Sequence, residues 1–196
     1  GDGFPAFRPG ELDESLAKTM SPTWGNDVKI YTGQMYTYGK RQICIDADTL
    51  GGIYVALNAR WQDSLSIVRI YKSTNGGSSW SFVYSFYSSG HAIQSFDMCV
   101  TDTTGGKFIL GFALVVKTDK SSSGGGILFW TSVLNDGTHF RSAVIGHASS
   151  TLTFKNPSIC TDGTFYSNAY FFVAAEYTNP VTDMSRGLWV TRSIDW

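Results

Sequence analysis

The chain repeats itself, and a repeat limits the fold before any single residue does. Asn75-x-Gly77-x-x-Trp80 returns as Asn135-x-Gly137-x-x-Phe140, and Ser193-x-Asp195-Trp196 opens a third copy, at intervals of 60 residues. A second marker keeps step with the first: Ile43-Cys44-Ile45-Asp46, Met98-Cys99-Val100-Thr101 and Ile159-Cys160-Thr161-Asp162, spaced by 55 and 61 residues. Two markers with nearly one period define three units, 39–90, 91–150 and 151–196, after an N-terminal segment 1–38.

Each unit reads as strands. Aromatic residues make up 15% of the chain, charged residues only 16%, and glycine occurs 21 times, a balance suited to short strands joined by Gly/Ser/Asn turns. The strands expected are 42–47, 52–59, 65–72 and 81–87 in the first unit, then 97–102, 107–116, 127–133 and 141–146 in the second. The third unit offers 158–162, 169–177 and 187–192 and no outer strand. Helical patterning is confined to residues 11–18, where one or two turns are expected after Pro9-Gly10. Trp24 precedes Asp27-Val28-Lys29-Ile30-Tyr31 as Trp80 precedes Ser81-Phe82-Val83-Tyr84, so the N-terminal segment is expected to hold an outer, closing strand. The fold class is all-β.

The glycine marker resembles the Asp-box, or BNR, repeat of sialidase-like β-propellers, Ser/Thr-x-Asp-x-Gly-x-x-Trp/Phe. Ser73-Thr74-Asn75-Gly76-Gly77-Ser78-Ser79-Trp80 matches it with Asn at the Asp position, and the second copy has Val133 at the Ser position. The resemblance covers about residues 42–196. In such a box a short amide or carboxylate bonds back to backbone N–H groups, glycine supplies a positive φ and the aromatic packs under the turn. The resemblance implies propeller blades with the boxes on the outer rim. Ser73, Asn75, Gly77, Trp80, Asn135, Gly137, Phe140, Ser193, Asp195 and Trp196 are therefore expected to hold the fold and to bind nothing. Three blades fall short of the usual 4–8. The array is then a partial ring, or half of a six-bladed ring completed by a second copy, with 27–31 pairing against 187–192 in a homodimer.

Composition also excludes some functions. A net charge of −1 with no basic block supplies nothing to neutralise phosphates, so no nucleic-acid partner is expected. No apolar run approaches the ~18 residues of a membrane span, and none follows a charged N-terminus as a signal segment would. The Ser/Thr/Gly-rich, aromatic-rich composition is similar to that of secreted bacterial carbohydrate-active proteins, which points to a secreted, periplasmic or cell-surface location. Cys44, Cys99 and Cys160 lack CxxC or His partners at ligand spacing, so buried thiols are expected, with no metal and no cofactor.

The binding face of a propeller is formed by the loops joining second to third strands and those leading into the next blade. On those loops stand Arg60, Trp61, Asp63, His91, Asp119, His147, Glu176, Tyr177, Asp183 and Arg186, with Arg41, Gln94, Lys117 and Lys155 nearby. Aromatic, carboxylate and guanidinium groups converging in a cleft can stack on pyranose faces and fix hydroxyls or a carboxylate. A sialidase would need an arginine clamp, a Tyr nucleophile with its Glu, and an Asp acid. Arg41, Arg60 and Arg186 could clamp. However, Phe7-Arg8-Pro9 lacks the Ile of the sialidase signature, and adjacent Glu176 and Tyr177 on a strand would face opposite sides. The sequence points first to a non-catalytic glycan-binding or protein-interaction module. The alternatives are part of a sialidase-like or other propeller glycoside hydrolase, and a self-assembly domain.

Overall fold

The computed structural model describes residues 28–35, 42–61, 65–87, 92–102, 107–117, 126–149, 152–162, 170–179, 181–182 and 184–193. The expected helical turn at 11–18 lies outside them. So do Arg41, Asp63, His91, Asp119, Asp183, Asp195 and Trp196.

The fold is all-β, built of antiparallel β-propeller blades. β1 (Ile43–Ala47), β2 (Ile53–Trp61), β3 (Leu65–Ser73) and β4 (Ser81–Tyr87) form the first blade in chain order. β5 (Ala92–Asp102), β6 (Phe108–Lys117), β7 (Ile127–Leu134) and β8 (His139–Gly146) form the second. β9 (Thr153–Thr161), β10 (Phe171–Thr178) and β11 (Ser185–Arg192) form the third, which has three strands among the described residues. No helix among the described residues is long and apolar enough to cross a membrane.

Two cores join the blades, and the strand alternation of side chains sets both. Cys44, Tyr54, Ala56 and Val68 of the first blade meet Phe96, Met98, Leu110 and Phe112 of the second. Cys99, Ala113 and Trp130 of the second meet Ile159, Phe171 and Val173 of the third. Carboxylates pin the same joints: Val100 N–H donates to Asp46 Oδ2 at 2.7 Å, and Ile159 N–H to Asp97 Oδ2 at 3.1 Å. A bond from a backbone amide to a charged acceptor is among the stronger ones, so each joint is fixed in register as well as packed.

The cysteine expectation needs one correction. Cys44 and Cys99 are buried, but Cys160 is exposed. Cys44 and Cys99 each face the blade that follows their own; Cys44 Sγ–H even donates to Phe96 O of the next blade at 3.3 Å. Among the described residues no blade follows the third, so Cys160 meets solvent. Burial against the neighbours pushes the Cys99 thiol far above its ordinary pKa, and nearby Asp46 adds to the shift.

At the other end of the array, Tyr31 and Met35 pack on Leu57, Ala59 and Ile67 of the first blade. Met35 bridges to Ala59, and the Arg69 guanidinium lies 5.6 Å from the Tyr31 ring centre. Residues 28–31 are not in a strand, and their Tyr31 lies on the first blade rather than beside β11.

The two glycine turns are built differently. In the first, Ser73 Oγ accepts Gly77 N–H at 2.9 Å, Asn75 Oδ1 accepts Ser79 N–H at 2.9 Å, and Trp80 Nε1–H donates to Gly77 O at 3.0 Å. In the second, Asp136 takes the amide's place, its Oδ1 accepting Thr138 N–H at 2.9 Å. That bond, the Thr138 hydroxyl and Lys107 hold the Asp136 carboxyl below its ordinary range. Asn135 is thereby released to reach across the joint to the Tyr54 hydroxyl. Gly77 and Gly137 occupy equivalent positions at φ +89° and +86°.

Tyr54 is the centre of a buried polar knot that the sequence did not announce. Its hydroxyl donates to Asp48 Oδ2 at 2.9 Å, and Asp48 also accepts Gly52 N–H at 2.6 Å and faces Lys72 at 3.7 Å. Burial first, and then the Asp48 carboxylate, push the Tyr54 phenol well above its ordinary pKa.

Candidate functional site

The inner strands β1, β5 and β9 begin at the end of the blades that also carries the second-to-third-strand loops. Two of them are irregular there. β5 bulges between Ile93 and Ser95, where Gln94 has no partner residue on β6, and β9 bulges at Asn156 and Pro157 opposite Ala175. An extra residue breaks the alternation and re-aims side chains at a strand end.

The first bulge is clasped by the blade before it. Asn58 Nδ2–H donates to Ile93 O at 2.8 Å, Gln42 Nε2–H to Gln94 O at 3.2 Å, and Ile93 N–H to Ser66 Oγ at 2.7 Å. Asn58 and Ser66 are fully buried. The clasp satisfies the backbone groups that the bulge removes from the ladder.

The second bulge positions a carboxylate. Asn156 adopts φ 46°, the left-handed region that Asn tolerates better than most residues, and donates through Nδ2 to Glu176 Oε2 at 2.8 Å. Lys155 stands opposite Glu176 in the register, and the Thr153 and Thr178 hydroxyls meet at 3.0 Å two positions nearer the loops. Glu176 is half-buried on one side of β10, while Tyr177 turns toward the joint with the second blade. The two do not share a face, as their adjacency requires.

Five other carboxylates serve the fold. Asp46 and Asp97 pin the joints, and Asp48 holds its own turn and Tyr54. Asp136 and Asp162 accept the backbone N–H groups of Thr138 and Tyr170, and Asp102 ends β5 at the opposite pole. Among the described residues, Glu176 is thus the carboxylate at the loop end whose hydrogen bond is to a side chain.

The remaining candidates are spread around this end. Arg60 is exposed, its N–H donating to Gln34 O at 2.9 Å and its guanidinium to Gln34 Oε1 at 3.4 Å. Trp61 ends β2, His147 is exposed just after β8, and Arg186 is exposed on β11. Of the residues singled out from sequence, the structure brings Glu176 together with Lys155, as cross-strand partners, and Gln94 with the first blade. Asn156, Asn58 and Gln42 were missed. The Asn156-Pro157 dipeptide is a turn signal that could have marked the bulge inside a strand.

No family model matches the sequence, and no curated protein is significantly similar to it. Three solved structures with a similar fold are all of a GH93 α-L-arabinofuranosidase of Fusarium graminearum. The complex with arabinobiose has a TM-score of 0.49 at 14% identity, over 74% of this chain and 42% of that one. A complex with an iminosugar inhibitor gives 0.46 at 14% identity, over 72% and 40%. A mutant with an iminosugar inhibitor gives 0.49 at 14% identity, over 74% and 42%. The chain therefore spans about two fifths of the length of these enzymes. At this identity the likeness is one of fold.

Proposed function

We propose that this chain is a glycan-binding module built on sialidase-like propeller blades, with its site at the loop end of the inner strands. The observation that carries the reading is the Glu176 carboxylate, oriented by Asn156 from a strained bulge, while Asp46, Asp48, Asp97, Asp136 and Asp162 hold turns, backbone or joints. A carboxylate and an amide side by side accept from and donate to vicinal hydroxyls. Arg60, Arg186 and His147 are exposed at the same end of the blades and add charge there. The exposed Asx-type turns on the opposite pole take the structural role that the box resemblance gives them. A secreted or cell-surface location fits such a module.

The test is binding of a panel of neutral and acidic oligosaccharides by calorimetry, with Glu176→Gln and Asn156→Ala as variants. Binding to at least one glycan that falls at least tenfold in both variants supports the reading. Binding that neither variant alters would overturn the site.

The second reading is a part of a propeller glycoside hydrolase. Glu176 would then be one of two carboxylates set about 5–9.5 Å apart, and its partner would come from Asp63, Asp119 or Asp183. Turnover of aryl glycosides or sialosides that disappears in Glu176→Gln would establish it. We expect no turnover by this chain.

A further inference from the structure

Gln42 and Asn58 face each other where the first blade meets the bulge of the second. Asn58 N–H donates to Gln42 O at 2.8 Å, two positions beyond the Cys44–Ala56 pair. Side chains so placed share one face, with Cβ atoms about 4.5–5.5 Å apart. Both reach the second blade and donate to consecutive carbonyls, Asn58 Nδ2–H to Ile93 O and Gln42 Nε2–H to Gln94 O.

Those bonds fix which way each amide is turned, because a carbonyl accepts only from the NH₂ end. The two amide oxygens therefore face away from Ile93 O and Gln94 O. Both are shut off from solvent, Asn58 being 0% exposed, and among the described residues neither Gln42 Oε1 nor Asn58 Oδ1 receives a hydrogen bond. A buried acceptor left unpaired costs as much as a lost hydrogen bond.

Packing of a joint does not demand this polarity. Asp97 and Ala113, partners on β5 and β6, hold the corresponding places in the second blade, two residues from the Cys99–Gly111 pair. There Ala113 packs in the core, and Asp97 accepts from Ser158 Oγ–H and Ile159 N–H. The second joint thus has an apolar residue and a satisfied acceptor where the first has two amide oxygens.

We propose that Gln42 and Asn58 hold one ordered water at this joint, which donates one O–H to each amide oxygen. The number and charge of the acceptors favour water over a cation. A hard cation such as calcium takes about 6–8 oxygens, carboxylates among them, whereas a buried water is held by about 2–4 polar partners. The water completes the clasp on the bulge whose Gln94 carbonyl the same Gln42 side chain holds. The site is independent of the glycan reading above.

The test is a high-resolution crystal structure of the full chain, together with solvent oxygen relaxation dispersion in solution. We expect one water peak about 2.5–3.0 Å from both Gln42 Oε1 and Asn58 Oδ1. Gln42→Met, which keeps the length of the side chain and removes its amide, should lose that peak and lower the count of long-lived waters by one. The wild-type structure alone decides the matter if the variant does not fold. A protein N–H in the water's place, from Arg41 or His91 for example, would overturn the proposal. So would a peak with five or more oxygen neighbours, which would be a cation, the lack of any peak bonded to both oxygens, or a water count unchanged in Gln42→Met.

Discussion

Met98 and Cys99 are neighbours in sequence and belong to different cores: Met98 packs with Cys44 in the first joint, Cys99 with Ile159 in the second. One β-strand residue therefore looks back and the next looks forward. The same pair of positions behaves otherwise at the ends of the array. Ile43, the counterpart of Met98, is 59% exposed against 5% for Met98 and 6% for Ile159.

Thiol accessibility should follow this rule. All three cysteines are free thiols; Cys160 is exposed, and Cys44 and Cys99 are buried. An Ellman titration of the native protein should show one fast thiol that Cys160→Ser removes, with the other two appearing only in denaturant. Three fast thiols would mean that the joints are open.

The joint carboxylates should be worth more than their exposed counterpart. Asp97 accepts both Ser158 Oγ–H at 3.0 Å and Ile159 N–H at 3.1 Å across the second joint. Asp97→Ala should cost about 2–3 kcal/mol in urea unfolding, as lost bonds to a charged group do. Asp162, at the corresponding edge of the third blade, accepts one bond at 3.3 Å from Tyr170. Its alanine variant should cost less than about 1 kcal/mol.

The two turn glycines should differ in cost. Both sit at positive φ, so an alanine at either carries about 1–2 kcal/mol of backbone strain. A Cβ on Gly77 would meet little, its nearest neighbour being the Trp80 ring at 3.9 Å, whereas one on Gly137 would come within 2.8 Å of Val83 O in the adjoining blade. Gly137→Ala should therefore be the more destabilising variant in the same urea assay, by at least about 1 kcal/mol.

Stability should fall on the alkaline side. The folded state raises the Cys99 thiol above its ordinary 9.0 and the Tyr54 phenol above its ordinary 10.0. Above those values the unfolded chain has released protons that the native one retains, so unfolding becomes easier as pH rises. The stabilisation is complete below pH 9 and is lost at up to about 1.4 kcal/mol per pH unit for each group above its ordinary value. Thermal melts from pH 7 to 11 should show the decline, and Cys99→Ala should flatten its first part.

Repeats were the legible part of this chain. The markers at Asn75 and Cys44 placed the eleven strands of the described residues, because turn glycines and alternating apolar residues recur wherever a strand must end or face a joint. What escaped was local irregularity. β5 begins at Ala92 and β9 at Thr153, five residues before the starts expected at 97 and 158. Bulges at Gln94 and Asn156 scramble the two-residue period there, so the pattern looks like a loop. The Asn156–Glu176 contact lies inside one of those stretches, and the candidate site was therefore visible as residue types but not as a geometry. Asp48 was hidden for another reason: nothing in Asp48-Thr49-Leu50-Gly51-Gly52 reveals that its carboxylate will fold back under Tyr54.

The forward-and-back rule of the inner strands has an evolutionary consequence. Met98 and Ile159 fit the backs of their predecessors, and Cys44 and Cys99 the fronts of their successors, with the same residue types at each joint. A duplicated blade would carry both halves of a working contact with it. Such an array can lengthen by copying its own coding segment, with no new surface to invent, and lineages that differ in blade number could arise from one ancestral unit.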